Sequence, residues 1–129
     1  YGAGYAETLV GAPVVDMVYS AHSLEHVADL ERSLRLMLEH TQDGGHIFIE
    51  TPNIADLAVF LGLVHTPHTF MISAGTFLEL QARLPFRIIA MEACGPKWNV
   101  GHPHINSQER TDLRVLLQKF AAADPGAAP

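Results

Sequence analysis

Cysteine is all but missing from the 129 residues: Cys94 is the only one. That excludes an intrachain disulfide and any zinc site built from several thiolates. Cationic side chains are scarce too. Eight Lys and Arg stand against 14 Asp and Glu, a net charge of −6 with histidine neutral. There is no basic run of the kind that binds a phosphate backbone, so nucleic acid is not an expected partner. No apolar run approaches the roughly 18–20 residues that span a bilayer. The longest, Ile54 to Val64, is interrupted by Asp56 and bounded by His65 and Pro67. No leader-like segment is recognisable. These absences lead to a cytoplasmic expectation without a membrane partner, and a lone thiol suits a reducing compartment. The first residue is Tyr1 rather than Met, which fits a processed product, an excised piece or an incomplete reading frame.

What is present suits one packed domain. Hydrophobic residues make up 48% and charged residues 17%, enough apolar side chain for a core and too little charge for global disorder. Residues 1–13 read as irregular, punctuated by Gly2, Gly4, Gly11 and Pro13. Val14 to Tyr19, with three valines, suits a strand buried on both faces of a parallel sheet. A loop from Ser20 to Val27 follows. Leu30, Leu34, Met37 and Leu38 recur at helical spacing after Asp29, a good N-cap, and Asp43-Gly44-Gly45 is expected to stop that helix. His46 to Glu50 reads as a second strand ended by Thr51-Pro52-Asn53. Ile54 to Val64 reads as a helix. Ser73 caps another through Arg83, with Phe77, Leu78, Leu80 and Leu84 as its buried face. Pro85 to Ala93 is a third strand, and Cys94 to Ser107 a loop. Asp112 to Phe120 fits helix or strand on pattern alone, and 121–129 has nothing to bury. Strands alternating with helices indicate an α/β fold.

Three segments carry a resemblance. Val15-Asp16-Met17-Val18-Tyr19-Ser20-Ala21-His22-Ser23-Leu24-Glu25-His26-Val27 resembles the fourth-strand region of class I S-adenosylmethionine-dependent methyltransferases, down to its Leu-Glu-His-Val. Asp43-Gly44-Gly45 through Asn53 is similar to that family's Pro-Gly-Gly turn and fifth strand, with Asp43 where proline is usual. His68-Thr69-Phe70 with Ser73 to Leu84 is similar to its segment before the sixth strand. The resemblance implies a partial Rossmann-like methyltransferase fold of three layers. Its sheet would be mostly parallel, with 112–120 inserted as one antiparallel strand beside the second strand. The family's Gly-rich turn and ribose-binding acid belong to the half of the domain before the fourth strand, and only 13 residues precede that strand here. The expected organisation is an irregular segment at 1–13, the C-terminal half of a methyltransferase domain at 14–120 and a flexible tail at 121–129.

The resemblance also proposes roles. Ser20, Ala21 and His22 follow the fourth-like strand, where the cofactor is approached. His68 lies in the segment that covers the acceptor and can serve as a base near neutral pH. Glu50 and Asn53, at the end of the fifth-like strand, are candidates for acceptor contacts. His22, Glu25 and His26 offer two imidazoles and a carboxylate to a divalent metal, as comparable positions do in some relatives. The plainer reading of Glu25 and His26 is local closure of the loop, and that of Thr51-Pro52-Asn53 a strand-ending turn. His65 with His68, and His102 with His104, have ligand-like spacing that chance alone can supply among 8 histidines. Trp98 suits covering the sheet edge. Cys94 has no basic partner in sequence that would activate it.

The function implied is transfer of a methyl group from S-adenosylmethionine to a small molecule, with this chain as a truncated C-terminal half expected to be inactive alone. The alternatives are a non-catalytic α/β unit that folds and associates, and a metal-binding module. With the first-strand neighbour absent, the strand at 14–19 would form an apolar edge, and a homodimer through that strand is the expected remedy.

Overall fold

A computed structural model of the chain describes residues 11–63, 68–95 and 110–121. Four strands, β1 (Val15–Ala21), β2 (Thr41–Pro52), β3 (Phe86–Cys94) and β4 (Asp112–Lys119), form one sheet in the order β1-β2-β4-β3. β1 and β2 are parallel, and β4 runs antiparallel to both β2 and β3. The helices are α1 (Leu30–Glu39), α2 (Leu57–Leu63) and α3 (Ala74–Gln81), with a single 3-10 turn at Leu24–His26. The α/β sheet with one inserted antiparallel strand is the arrangement expected. Of the three layers, the described residues build the sheet and one helical layer. None of the described helices is long and apolar enough to cross a membrane.

Alternation along the strands defines the core. Register places Val18, Ile47, Leu117 and Ile88 in one row and Ile49, Val115 and Met91 in the next. These residues pack with Leu30, Leu34, Met37 and Leu38 of α1 and Phe77 and Leu80 of α3 in one cluster. Each such buried side chain is worth about 1.5–3 kcal/mol. Asp29 Oδ1 accepts from the Arg32 N–H (2.9 Å) and starts α1. Thr76 Oγ1 accepts from the Ser73 N–H (3.2 Å) and starts α3. Arg83 reaches across to Glu31 (3.0 Å) and ties the helices together.

Several boundaries differ from the sequence reading, each for a physical reason. β1 is not covered on both faces. It is the edge of the described sheet, pairs only with β2 there, and leaves Val14 (61%), Met17 (52%) and Tyr19 (57%) exposed. Tyr19 finds a partial partner by stacking on Phe48 (5.4 Å). Ser20 and Ala21 belong to β1 rather than to the loop, because β2 continues beside them as far as Glu50. α1 ends at Glu39, before the glycines, and Thr41 already lies in β2. Asp43-Gly44-Gly45 instead forms an out-pocketing of β2: Val15 pairs with Thr41 and Met17 with His46, so residues 42–45 have no partner in the ladder. Leu78 is exposed (56%), since it is one residue round the helix from buried Phe77. Cys94 closes β3 opposite Asp112 and is buried. His65, Trp98, His102, His104, the segment 1–10 and the tail 122–129 lie outside the described residues.

Candidate functional site

The chemistry-bearing side chains meet where β1 and β2 end and β4 begins. His22 follows β1 with φ +47, a left-handed conformation that a non-glycine residue rarely holds. Its backbone N–H donates to the Glu50 carbonyl (2.8 Å), which fixes the turn. The ring then faces three carboxylates from three separate segments. Nε2 lies 3.4 Å from Glu50 Oε1 and 3.7 Å from Asp112 Oδ1, and Nδ1 lies 3.7 Å from Glu25 Oε1. These contacts are ion pairs only when the ring is protonated, and they are not hydrogen bonds. The imidazole remains about one-third exposed while Glu25, Glu50 and Asp112 are buried. It therefore sits at the mouth of an acidic corner and not in the core.

Beneath it lies a buried ion pair. Arg114 Nε donates to Glu50 Oε2 at 2.6 Å, and the two residues are register partners on β2 and β4. Burial works against the charge on Arg114, yet the hydrogen bond to Glu50 and the surrounding carboxylates outweigh it and lift its pKa above the ordinary value. Asp112 is driven the other way from a paired carboxylate. Burial raises its pKa above the usual range, and His22 offsets this only in part. Cys94 is likewise raised by burial, which keeps its thiol protonated and agrees with an inert role.

The sign of the Asp112 shift makes a testable statement. A carboxyl whose folded pKa lies above its unfolded value contributes stability that is present below the unfolded pKa and is lost as pH rises through the folded one. Asp112→Asn removes that loss. We expect the variant to gain stability relative to the parent between acidic and neutral pH, with little difference at about pH 3, below the ordinary carboxylate range. Urea midpoints across that range check it, and a parent that outlasts the variant at pH 7 refutes it.

A second corner is built by the 3-10 turn. The Glu25 carbonyl accepts from the Thr69 (2.8 Å) and Phe70 (3.0 Å) N–H groups, which draws residues 68–70 over the turn. His68 then stacks on His26 at 4.5 Å. Ligand atoms of Glu25, His26 and His68 lie within 4.8 Å of one another. The trio named from sequence was His22, Glu25 and His26. The structure groups His68 with the latter pair and turns His22 toward Glu50 and Asp112.

Ser20 and Ala21 are the last two residues of β1, and the Ser20 hydroxyl is hydrogen-bonded to that of Ser23 (2.9 Å). Glu50 is at the site, fully buried. Asn53 is engaged in chain geometry: its side-chain amide donates to the Arg110 carbonyl (2.8 Å) and its Oδ1 accepts from the Ala55 N–H (3.2 Å). It ties the end of β2 to the start of β4. Sequence reasoning missed Asp112 and Arg114. The signal was an acid and a cation two residues apart at the start of a strand with an apolar centre, matched by the acid that ends the run at 46–50. A groove of about 330 Å³ between α1 and α3, lined by Asp29, Glu31, Phe70, Glu79 and Arg83, includes none of these strand-end residues.

Comparison with known proteins bears on this geometry. A sequence model described as a methyltransferase domain matches residues 5–121. No curated protein matches. Among solved structures, a SAM-dependent methyltransferase from Archaeoglobus fulgidus is similar with a TM-score of 0.64 at 18% identity, over 92% of this chain and 66% of that one. An S-adenosylmethionine-dependent methyltransferase from Mesorhizobium loti gives 0.61 at 18% identity, over 82% and 62%. A putative methyltransferase from Haloferax volcanii, solved with the Trm112 activator, gives 0.65 at 12% identity, over 83% and 55%. At such identities the likeness is one of fold. The chain spans a little under two thirds of the length of the first two. With the sheet order, the inserted antiparallel strand and the family match running through nearly all of it, the chain belongs to the methyltransferase-domain family.

Proposed function

We propose that the protein is an S-adenosylmethionine-dependent methyltransferase for a small-molecule acceptor, and that residues 14–120 are the C-terminal half of its catalytic domain. The observation that carries this reading is the family match over residues 5–121. The acidic corner supports it, because ligands of open α/β sheets bind in the crevice at the C-terminal ends of parallel strands, where β1 and β2 end here. In this reading His22, Glu25 and Glu50 face the acceptor, and His68 is a further candidate base. A cytoplasmic location belongs to the same reading.

The cofactor fits only in part. Ser20, Ala21 and His22 can border it, but no Gly-rich turn after a strand and no acid ending a further strand precede residue 14 in this sequence. These 129 residues alone are therefore expected to bind S-adenosylhomocysteine more weakly than about 10 µM by calorimetry. Tighter binding means that the site is rebuilt, for instance by a second chain. Methyl transfer from labelled cofactor, assayed with the preceding half of such a domain supplied, is the direct test. Failure with every acceptor class would favour a non-catalytic unit.

The exposed edge supports a second statement, about assembly. Val14, Val15, Met17 and Tyr19 lie exposed along a strand whose outer N–H and C=O groups have no ladder partner among the described residues. Pairing of β1 with β1 of another copy across a two-fold axis would cover them. Light scattering at micromolar concentration should report twice the chain mass of 14.1 kDa, falling to the chain mass in Met17→Lys. A parent that runs as a monomer rules this out. A divalent ion at Glu25, His26 and His68 is the finer reading of the second corner, tested by the Mn²⁺ arm of the titration described next.

A further inference from the structure

We infer that the acidic corner around His22 binds an amine cation, so that the acceptor presents a protonated or protonatable nitrogen to Glu25, Glu50 and Asp112. The inference deepens the methyltransferase reading and rests on it for the word acceptor. Its evidence is the state of the carboxylates. Among the described residues, Glu25 Oε2, Glu50 Oε1 and Asp112 Oδ2 are buried and make no hydrogen bond, on side chains only 3%, 0% and 8% exposed. Among the described residues, three carboxylates from the 3-10 turn, β2 and β4 meet one permanently charged cation, Arg114, whose Nε is already bound to the other oxygen of Glu50, and the titratable His22 ring at 3.4–3.7 Å.

Buried acceptors without donors each cost on the order of 1–3 kcal/mol, more when charged. A protein retains such a set where a ligand completes it. The ligand must therefore bring N–H donors and positive charge. An ammonium does both, with three donors for three unmet oxygens. A hydroxyl has one donor and no charge. The site also has an open side, since the His22 ring is about one-third exposed above the buried acids. Arg114 Nη2, buried and without a hydrogen bond among the described residues, is a donor left over and suits a neighbouring hydroxyl or carbonyl on the same ligand. Tyr19 and Phe48 stack two positions back along β1 and β2 from Ala21 and Glu50, on the same face, which adds an apolar surface beside the charged corner.

The test uses the whole chain and needs no cofactor. Isotope-labelled protein is titrated with 2-phenylethylamine and, separately, with 2-phenylethanol, which differ only in the head group, and shifts are followed at His22, Glu25, Glu50 and Asp112. The amine should bind at least tenfold more tightly than the alcohol and move those four resonances. In Glu25→Gln and in Asp112→Asn the preference should fall below threefold while the spectrum stays folded. Equal binding of amine and alcohol overturns the inference, as does an amine whose shifts map elsewhere. A third arm adds Mn²⁺. Broadening confined to Glu25, His26 and His68 with the amine preference intact leaves the inference standing, whereas broadening of Glu50 and Asp112 that abolishes the preference assigns the acids to a metal and overturns it. Amine preference without methyl transfer in the assay above would sustain this inference and sink the methyltransferase reading. Transfer to alcohols without amine preference would do the reverse.

Discussion

Arg114→Ala is expected to remove about 3–5 kcal/mol of folding stability, the range for breaking a buried ion pair from one side. Glu50 is wholly buried, and its carboxylate takes its only hydrogen bond among the described residues from Arg114 at 2.6 Å. Without the guanidinium, a carboxylate is left in the interior beside Glu25 and Asp112, with the partly exposed His22 ring 3.4 Å away. For a domain whose whole stability is of the order of 5–15 kcal/mol, that loss leaves a large unfolded fraction. The double variant Glu50→Leu with Arg114→Met should recover most of it, because both charges leave together and β2 and β4 keep their register. Urea denaturation of the single and double variants decides the matter. A single variant within 1 kcal/mol of the parent, roughly the value of an exposed pair, would falsify the burial argument.

Gly45→Ala is the second large effect, expected at about 3 kcal/mol, the upper end of the cost of overpacking. A Cβ built on Gly45 meets the Asp16 carbonyl oxygen at 2.8 Å, Thr41 Cγ2 at 2.8 Å and the Gln42 carbonyl oxygen at 2.9 Å. Two of these three neighbours are backbone and cannot turn aside. The out-pocketing at 42–45 is held from other directions as well: Gln118 Nε2 donates to the Gly44 carbonyl (2.9 Å) and Lys119 Nζ to the Thr41 carbonyl (2.8 Å). Relief must therefore come from separating β1 from β2, the pairing that places His22 over Glu50. Gly44→Ala makes a useful comparison. It meets nothing within 4 Å and carries only the conformational cost of φ +76. The Gly45 variant should be the less stable of the two in thermal unfolding, and the reverse order would remove the steric account.

Local pattern was sufficient for much of the fold. The leucine spacing after Asp29 placed α1, Ser73 placed the start of α3, the run at 46–50 fell inside β2, and the runs at 14–19 and 85–93 each began one residue before β1 and β3. Boundaries went astray where a neighbouring strand, not the residue itself, sets the end. β1 reaches Ala21 because Glu50 is opposite, and β2 starts at Thr41 because Val15 is. Residues 112–119 had no decisive period, and they form a strand because the slot between β2 and β3 satisfies their N–H and C=O groups on both sides.

The site divides along the same line. His22, Glu25, His26, Glu50 and His68 were nameable from the chain, since each is a polar residue at a strand end or in a loop of an otherwise apolar pattern. Their grouping was not. Glu50 and Arg114 are 64 residues apart and meet only through the register of β2 with β4. His68 joins His26 only because the Glu25 carbonyl takes two N–H groups from residues 69 and 70. Composition and spacing along the chain determine which side chains are available, which segments become helix or strand, and which family the pattern resembles, because all of these follow from local periodicity. Which acid faces which base, how deeply each is buried and which carboxylates are left without a donor depend on strand order and register. Those are settled only when the sheet closes, since a shift of one residue would turn Glu50 and Arg114 to the opposite face.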